Sequence, residues 1–324
     1  MLGKLSLKAQ LTALVLCAVG GTAFAQADTR PLHIVVGFAA GGSTDVVARL
    51  LADKVGATLG RPVIVDNKPG SGGQIAAIQV KNAAPDGSTL MLTIDHTQVI
   101  IPLTYKNPGF DPLKDFTPVM GVGQYFNALG ASSASGIKSV QQIAPFVKAN
   151  PDQANFGIPA VGSVPQFAGL VLAKEIGVQL TPIPYKGGAP LVQDLLAGQV
   201  PLGIGSLTDM LEYQRSGKLR LLAVSGTQRA RSAPDIPTFE ELGLKGVDKN
   251  PWIAFVGPVG LPAAFVQRFN AAVRAAMAAP EIEARFATLG IEPTPTTPEG
   301  LRTWIVDATA HWAPVIKASG YQLQ

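Results

Sequence analysis

The fold is decided by the stretch Ile34-Val-Val-Gly-Phe-Ala-Ala-Gly-Gly-Ser-Thr-Asp-Val-Val-Ala-Arg49. Its apolar, β-branched beginning predicts a strand, and its glycine pair at Gly41 and Gly42 predicts a loop. A helical pattern follows, because one face collects the apolar residues Val46, Val47, Leu50, Leu51, Val55 and Leu59. The first N–H groups of such a helix lack acceptors and lie at the positive end of its dipole, so the junction favours an anion.

The same design returns farther along the chain. Pro62–Asp66 predicts a strand, Lys68–Gly73 a glycine loop, and the residues from Gln74 onward a helix. Two loops of this kind at neighbouring strand ends predict a protein that holds a small acid.

Residues 1–25 have the pattern of a secretory leader. Lys4 and Lys8 give a basic start, Leu11–Val19 is an apolar core too short for a transmembrane helix, and Ala23-Phe-Ala25 is a cleavage signal. We therefore expect cleavage after Ala25 and a periplasmic location for the mature chain.

The single cysteine, Cys17, lies inside this leader. It leaves a lipid anchor as an alternative, although Leu16 stands where a small residue is expected before a lipidated cysteine. After cleavage at Ala25 the chain has no cysteine, which excludes disulfides, Cys-based metal sites and a thiol nucleophile.

Charge and hydropathy exclude several classes of protein. Loss of Lys4 and Lys8 lowers the formal net charge from +4 to +2, too little to favour nucleic acid or a membrane surface. No second apolar run is long enough to span a bilayer. The remaining roughly 300 residues fit two domains better than one.

Predicted strands and helices alternate along the chain, which is typical of parallel sheets with helices on both faces. The predicted strands are Leu32–Val36, Val63–Asp66, Leu90–Thr93, Ala154–Gly157, Leu180–Pro184, Leu202–Ile204, Leu219–Ser225 and Trp252–Val256. The later predicted helices are Ser139–Ala149, Val164–Ile176, Ala189–Ala197, Leu207–Ser216, a short one from Thr238, Ala263–Met277, Pro280–Leu289 and Pro298–Ser319. Capping boxes open two of them, at Ser139 with Gln142 and at Thr238 with Glu241.

Two stretches interrupt this alternation and predict crossings between lobes. Gly121–Ala131 is rich in small and polar residues, and Gly246–Pro251 is rich in turn formers. Lobe one would comprise residues 26–126 and 250–324, and lobe two residues 127–249. Two connecting segments make a hinge with a cleft between the lobes.

Four glycine loops follow predicted strands, two in each lobe. They are Phe38–Asp45, Gly70–Gln74, Gly157–Ser163 and Tyr185–Gly188. Ligands of open α/β sheets bind outside the carboxyl ends of the strands. One such loop is explained by a tight turn alone, but four loops in two lobes favour a ligand cleft.

Several side chains near these loops have two interpretations. Asp45 either caps the first turn of its helix or orients a ligand group. The hydroxyls of Ser43, Thr44, Ser71 and Ser163 either extend the amide cradle or cap helices. Lys186 is either a ligand cation or a solvated lysine. His96 follows the third strand at the edge of the predicted cleft.

Signatures of enzymes and metal sites are missing. No serine has glycines at both flanking positions of a nucleophile elbow, and neither a phosphate loop nor a dinucleotide fingerprint follows the first strand. His33, His96 and His311 are far apart, so we expect no metal and no cofactor.

An ordered set of motifs identifies a family resemblance. They are Leu32-His-Ile-Val-Val-Gly-Phe-Ala-Ala-Gly-Gly-Ser-Thr-Asp45, Lys68-Pro-Gly-Ser-Gly-Gly73, Ala84-Pro-Asp-Gly87, Phe110-Asp-Pro-Leu-Lys-Asp-Phe-Thr-Pro118, Pro184-Tyr-Lys-Gly-Gly188, Leu195-Leu-Ala-Gly-Gln199 and Ser216-Gly-Lys-Leu-Arg220. The chain resembles the Bug-type extracytoplasmic solute receptors of tripartite tricarboxylate transporters over essentially its whole mature length.

The resemblance implies an α/β, type II periplasmic-binding-protein fold that closes on its ligand like a flytrap. It implies a small carboxylate ligand, no metal, delivery to a membrane permease and a monomeric receptor. The ligand-binding residues it implies are Phe38, Ala40, Gly41, Gly42, Ser43, Thr44, Asp45, Ser71 and Gly72 in lobe one, and Gly162, Ser163, Tyr185, Lys186, Gly187 and Gly188 in lobe two.

The chain also departs from the family pattern. Gly37 stands where the family often has proline, and Gly205 stands where relatives often have an acidic residue that could hold an amino group. Its absence favours a plain carboxylate over an amino acid. Two alternatives remain open: a sensory protein that presents the same ligand to a signalling receptor, and an exported α/β enzyme that acts on a small acid.

Overall fold

Two β-sheets, each covered by helices, build this protein. The computed structural model describes residues 30–185, 187–246 and 249–321. The predicted leader and its cleavage site after Ala25 therefore lie outside the described residues. We call sheet one with its helices lobe one, and sheet two with its helices lobe two.

Sheet one has six strands within the described residues, in the order β11-β4-β10-β3-β1-β2. They are β1 (Leu32–Val36), β2 (Val63–Asn67), β3 (Thr89–Ile94), β4 (Phe116–Tyr125), β10 (Trp252–Pro258) and β11 (Ile291–Pro293). The strands β2, β1 and β3 are parallel, whereas β10 is antiparallel to both β3 and β4.

Sheet two has the order β7-β6-β8-β5-β9 in the same described part of the chain. Its strands are β5 (Asn127–Ser132), β6 (Asn155–Ile158), β7 (Thr181–Pro184), β8 (Leu202–Ser206) and β9 (Leu219–Val224). Here β5 is antiparallel to both β8 and β9.

The two sheets repeat one topology. Each has three parallel strands followed by one antiparallel strand, β10 in sheet one and β5 in sheet two. Each antiparallel strand is the first strand after the chain crosses from the other sheet. The alternation of strands and helices predicted parallel sheets, and this is right for three strands of each sheet but wrong for the strand that enters from the other lobe.

The helices cover both sheets. They are α1 (Ser43–Leu59), α2 (Gln74–Lys81), α3 (Ile101–Thr104), α4 (Ile143–Ala149), α5 (Val164–Glu175), α6 (Gly188–Ala197), α7 (Leu207–Arg215), α8 (Ala263–Met277), α9 (Pro280–Thr288) and α10 (Pro298–Ala318). A π-helical turn, His96–Ile100, joins β3 to α3. Among the helices of the described ranges, none combines the length and the apolar character needed to cross a bilayer.

Alternation along β1 places apolar residues on both faces of sheet one. Leu32, Ile34 and Val36 belong to one core cluster, and Val35 belongs to the cluster on the opposite face. A strand that is buried on both faces is expected of a sheet with helices on each side. The final helix α10 packs Leu301 into the second of these clusters, on one face of sheet one.

The sequence did not predict β4, β5 or β11. Glycines in β4 lower its strand propensity, and their neighbours show why they stand there. A side chain at Gly121 would collide with the Trp304 ring, and one at Gly123 would lie 2.7 Å from the Glu292 carbonyl oxygen of β11. Glycine is required at these positions because α10 and β11 pack closely against β4. The same glycines made the sequence of β4 resemble a loop.

The two predicted capping boxes have different outcomes. At Thr238 and Glu241 the reciprocal bonds form at 3.0 Å each, but turns follow instead of a helix, and Gly243 adopts a positive φ of 75°. At Ser139 the side chain makes no cap, and Gln142 accepts from the Lys138 N–H instead. The helix begins only at Ile143, after a 3₁₀ turn, so the predicted start at Ser139 was wrong.

Candidate functional site

A cavity of about 380 Å³ lies between the two lobes. It opens at the carboxyl ends of β1, β3, β6 and β8, where ligands of α/β sheets bind. Its volume is in the range of small-molecule sites. Its lining residues are Phe38, Gly42, Ser43, Thr44, Gly72, Ile94, Asp95, His96, Tyr125, Asn127, Pro159, Ala160, Ser163, Val164, Pro165, Gly188, Ser206, Thr208, Asp209, Pro251, Ile253, Leu289 and Ile291.

The N-terminus of α1 opens onto this cavity. Gly42 is its N-cap, with φ −71° and ψ 163°, and has no side chain to cap the helix. Within the described chain, no acceptor pairs with the N–H groups of Ser43 or Thr44, which both line the cavity. This helix end therefore presents unpaired donors and a positive dipole to any ligand inside.

The loop before α1 is fixed by Asp45. Its carboxylate accepts hydrogen bonds from the Gly41 N–H at 2.8 Å, Asn67 Nδ2 at 2.9 Å and Arg49 Nε at 3.1 Å. Burial opposes ionisation of Asp45, but the bonds from Arg49, Gly41 and Asn67 outweigh it and hold its pKa below the usual value. The side chain is only 3% exposed and does not line the cavity, and the backbone N–H that it accepts belongs to Gly41 in the loop rather than to the first turn of α1.

Lobe one contributes a second glycine loop at Gly70–Gly73. A side chain on Gly72 would lie 2.6 Å from His96 Nε2, and Thr97 Oγ1 donates to the Gly72 carbonyl at 2.8 Å. Only glycine allows this approach, since Gly72 also has a positive φ of 64°. Ser71 sits beside it with a φ of 45° and does not line the cavity.

Asp95 and His96 follow β3 and line the cavity. Burial raises the pKa of the Asp95 carboxyl to about 7, although backbone N–H groups of His96 and Trp252 and the Tyr125 hydroxyl donate to it. Burial lowers the pKa of His96 to about 4, so its imidazole is neutral at pH 7. A neutral imidazole has one N–H donor and one acceptor to offer a ligand.

Lobe two contributes the N-terminus of α5. Ser163 is its N-cap and lines the cavity, but its hydroxyl donates to the Ala160 carbonyl at 2.7 Å. Gly162 does not line the cavity, and its N–H already donates to Gln166 Oε1 at 2.7 Å. The N–H of Val164, which lines the cavity, has no acceptor in the described part of the chain.

The N-terminus of α6 comes from the Tyr185–Gly188 loop. Gly188 lines the cavity, whereas the Gly187 N–H donates to the Pro159 carbonyl at 2.9 Å. The Tyr185 hydroxyl donates to Asp194 Oδ2 at 2.8 Å and does not line the cavity. Burial, and then the Asp194 carboxylate, raise its pKa to about 12.

The structure brings only part of the predicted site together. The predicted residues that line the cavity are Phe38, Gly42, Ser43, Thr44, Gly72, His96, Ser163 and Gly188. Those that do not line it are Ala40, Gly41, Asp45, Ser71, Gly162, Tyr185 and Gly187, and Lys186 lies outside the described residues. Ligand binding by any of these residues stays a prediction.

Sequence reasoning missed several lining residues. Asp95 follows β3, and Thr208 and Asp209 follow β8, so the rule about strand ends could have found them. Leu289 and Ile291 had no local signal, because they belong to a distant C-terminal segment. The described residues contain no cluster of three or more His, Cys, Asp or Glu side chains that could hold a metal.

Two lobes of one topology, with helix N-termini directed into the cavity between them, define a periplasmic-binding-protein type of solute receptor. A family model for the tripartite tricarboxylate transporter family receptor matches residues 47–321. The chain therefore belongs to this receptor family. The predicted family, fold and non-enzymatic class are confirmed.

Known relatives cover nearly the whole chain. Protein BugT of Bordetella pertussis is 33% identical over 313 residues, which is 95% of this chain and 96% of that protein. The structure of periplasmic binding protein BugD has a TM-score of 0.79 and 35% identity, and covers 91% of this chain and 99% of its own. An R. palustris protein with adipate has a TM-score of 0.82 and 30% identity, over 92% of this chain and 99% of its own.

Proposed function

We propose that this protein is an exported receptor that captures a small carboxylate in the cavity between its lobes. It would deliver the ligand to the membrane permease of a tripartite tricarboxylate transporter. The observation that carries the proposal is the pair of unpaired N–H groups at Ser43 and Thr44, at the positive end of a helix of 17 residues. The adipate bound to the R. palustris relative is a carboxylate of this class.

The chemistry of the cavity suits an anion of modest size. The helices α5 and α6 add the N–H groups of Val164 and Gly188, which also lack acceptors among the described residues. A hydrogen bond to a charged group stabilises by about 1.5–3 kcal/mol, so three such bonds at the upper end of this range match the about 8 kcal/mol of a micromolar complex.

Closure of the lobes follows from the same geometry. A ligand that contacts both lobes stabilises the closed state by its differential contacts. The crossings between the lobes lie side by side: the Tyr125 N–H donates to the Pro251 carbonyl at 3.0 Å, and Ser225 Oγ donates to Asn250 Oδ1 at 2.8 Å. We propose these crossings as the hinge, with the lobe boundaries at 126/127 and 249/250.

Export and the quaternary state complete the proposal. The leader would be removed after Ala25, and the receptor would work as a periplasmic monomer. N-terminal sequencing of the exported protein tests the first point: a chain that begins at Gln26 supports it, and lipid on Cys17 contradicts it.

Thermal-shift measurements with paired probes test the carboxylate site. Succinate and glutarate are compared with their uncharged diamides, together with benzoate and citrate. A cognate acid at 100 times its Kd should stabilise the protein by about 2.7 kcal/mol, and its amide should not. Equal stabilisation by an acid and its uncharged diamide contradicts the proposal.

A further inference from the structure

Asp209 is a cavity residue that the proposed function leaves unused. It is the third residue of α7, directly after β8, and it lines the cavity from lobe two. Its carboxylate has no hydrogen-bond or ion-pair partner among the described residues, and it lies against Gly188 at the start of α6. An acceptor-only group therefore stands beside a helix N-terminus that could otherwise hold an anion.

The ionisable side chains of the cavity wall are acidic or neutral rather than basic. Its acidic lining side chains are Asp95 and Asp209, and within the described residues no lysine or arginine lines it. His96 is neutral at pH 7. Burial, and then the carboxyl groups of Asp95 and Asp209, raise the pKa of the Tyr125 hydroxyl. A ligand that carries only negative charge would meet the α1 donors in lobe one but an acidic side chain in lobe two.

Asp209 depends on water for its hydrogen bonds. The residue is exposed, and burial of part of its carboxyl raises the pKa above the usual value. A ligand that fills the cavity would remove that solvent. An unpaired carboxylate is then costly, whereas a cation supplied by the ligand offsets the loss of hydration.

We infer that Asp209 accepts hydrogen bonds from an ammonium group of the ligand, so that the receptor selects amino acids over the corresponding plain carboxylates. This inference rests on the proposed function, because the ligand's carboxylate is placed at the N-terminus of α1. It revises the expectation drawn from Gly205, since the acidic group that the strand end lacks is supplied four residues later. A purely structural role is the alternative, because an acidic residue in the first turn also stabilises its own helix.

The experiment measures binding of matched probes to the exported protein by calorimetry. Each pair is an amino acid and its deaminated acid: aspartate with succinate, glutamate with glutarate, and phenylalanine with 3-phenylpropionate. The variant is Asp209→Asn, which keeps the shape but removes the charge. Glu212→Gln is the matched control, because Glu212 is an exposed acid on the same helix that does not line the cavity.

We expect at least one amino acid to bind about tenfold or more tightly than its partner acid, and Asp209→Asn to reduce that ratio about 10- to 100-fold. Glu212→Gln should leave the ratio unchanged. The inference is overturned if the plain acids bind as tightly as the amino acids, or if Asp209→Asn weakens both members of a pair equally. Failure of every probe, amino and plain alike, contradicts the proposed carboxylate function itself.

Discussion

The hydroxyl of Thr208 in lobe two donates a hydrogen bond of 2.6 Å to the carbonyl of Leu289 in lobe one. Both residues line the cavity, so this bond joins the lobes at the edge of the ligand site. This bond forms only when the two lobes lie together. It should therefore increase the affinity for any ligand that binds both lobes in this arrangement.

Removal of this bond should weaken ligand binding. In Thr208→Val the shape is kept and the donor is lost, which costs about 0.5–1.5 kcal/mol, or about 2- to 10-fold in Kd. Calorimetry with the acid that gives the largest thermal shift measures it. Thr303→Val is the control, because Thr303 donates to the Glu299 carbonyl on the exposed side of α10, far along the chain from the cavity. Equal affinities of the two variants would show that the bond between the lobes contributes nothing to binding.

Asp45 should make the stability of lobe one sensitive to acid. Its pKa is lowered in the folded state, so its stabilising contribution is present above the unfolded pKa of about 3.9 and is lost as the pH falls through the folded value. Asp45→Asn should therefore be less stable than wild type at pH 7, and the difference should shrink below about pH 4. Urea unfolding at several pH values checks this, with the exposed Asp53→Asn on the same helix as control. A difference that stays constant between pH 7 and pH 3 would contradict the role of the ionised carboxylate.

Asp95 and His96 should have opposite effects on stability as the pH changes. The folded pKa of Asp95 is raised to about 7, so its contribution is lost as the pH rises towards 7. The folded pKa of His96 is lowered to about 4, so its contribution is present above about pH 6.5 and is lost as the pH falls. Between about pH 4 and pH 6.5 the two slopes oppose each other, each at most about 1.4 kcal/mol per pH unit.

Single variants should separate these slopes. In Asp95→Asn, the free energy of unfolding should rise with pH over this window relative to wild type. In His96→Gln it should fall with pH. Parallel profiles for wild type and both variants in urea titrations would show that neither group titrates as its burial requires.

The sequence predicted best what is local. The strand, glycines and helix of residues 34–49 lie together in the chain, so the donors at Ser43 and Thr44 follow from periodicity and capping rules alone. The role of Asp45 was left between cap and ligand because its partner Asn67 comes from another strand. Only the packed structure shows that its carboxylate is already satisfied.

Contacts between segments that are distant in the chain could not be predicted from the sequence. The glycines of β4 read as a loop because the Trp304 ring that requires Gly121 comes from α10. In lobe two, Tyr185 is turned to Asp194, whereas Asp209 reaches the cavity from the next helix. The absence of an acid at Gly205 was therefore a poor guide to the charge of the site.

The donors at the start of α1 can be blocked with a single side chain. Gly42 has a φ of −71°, and an added Cβ would meet only the Ala39 carbonyl oxygen, at 3.3 Å. Alanine and aspartate should therefore both fold there. Aspartate at the N-cap can accept the N–H of Thr44, the second residue of the helix, and it places a negative charge beside the Ser43 N–H, so it should compete with a carboxylate ligand for this site.

Calorimetry of Gly42→Asp beside Gly42→Ala is the most direct measurement of carboxylate binding at the N-terminus of α1. We expect Gly42→Asp to be at least as stable as Gly42→Ala in urea, because Asp is a good N-cap and Ala a poor one, worth about 0.5–2 kcal/mol. Gly42→Ala should bind the acid that gives the largest thermal shift within about tenfold of wild type. Gly42→Asp should show no measurable binding. A folded Gly42→Asp protein that binds this acid as tightly as Gly42→Ala would place the carboxylate elsewhere and contradict the proposed site.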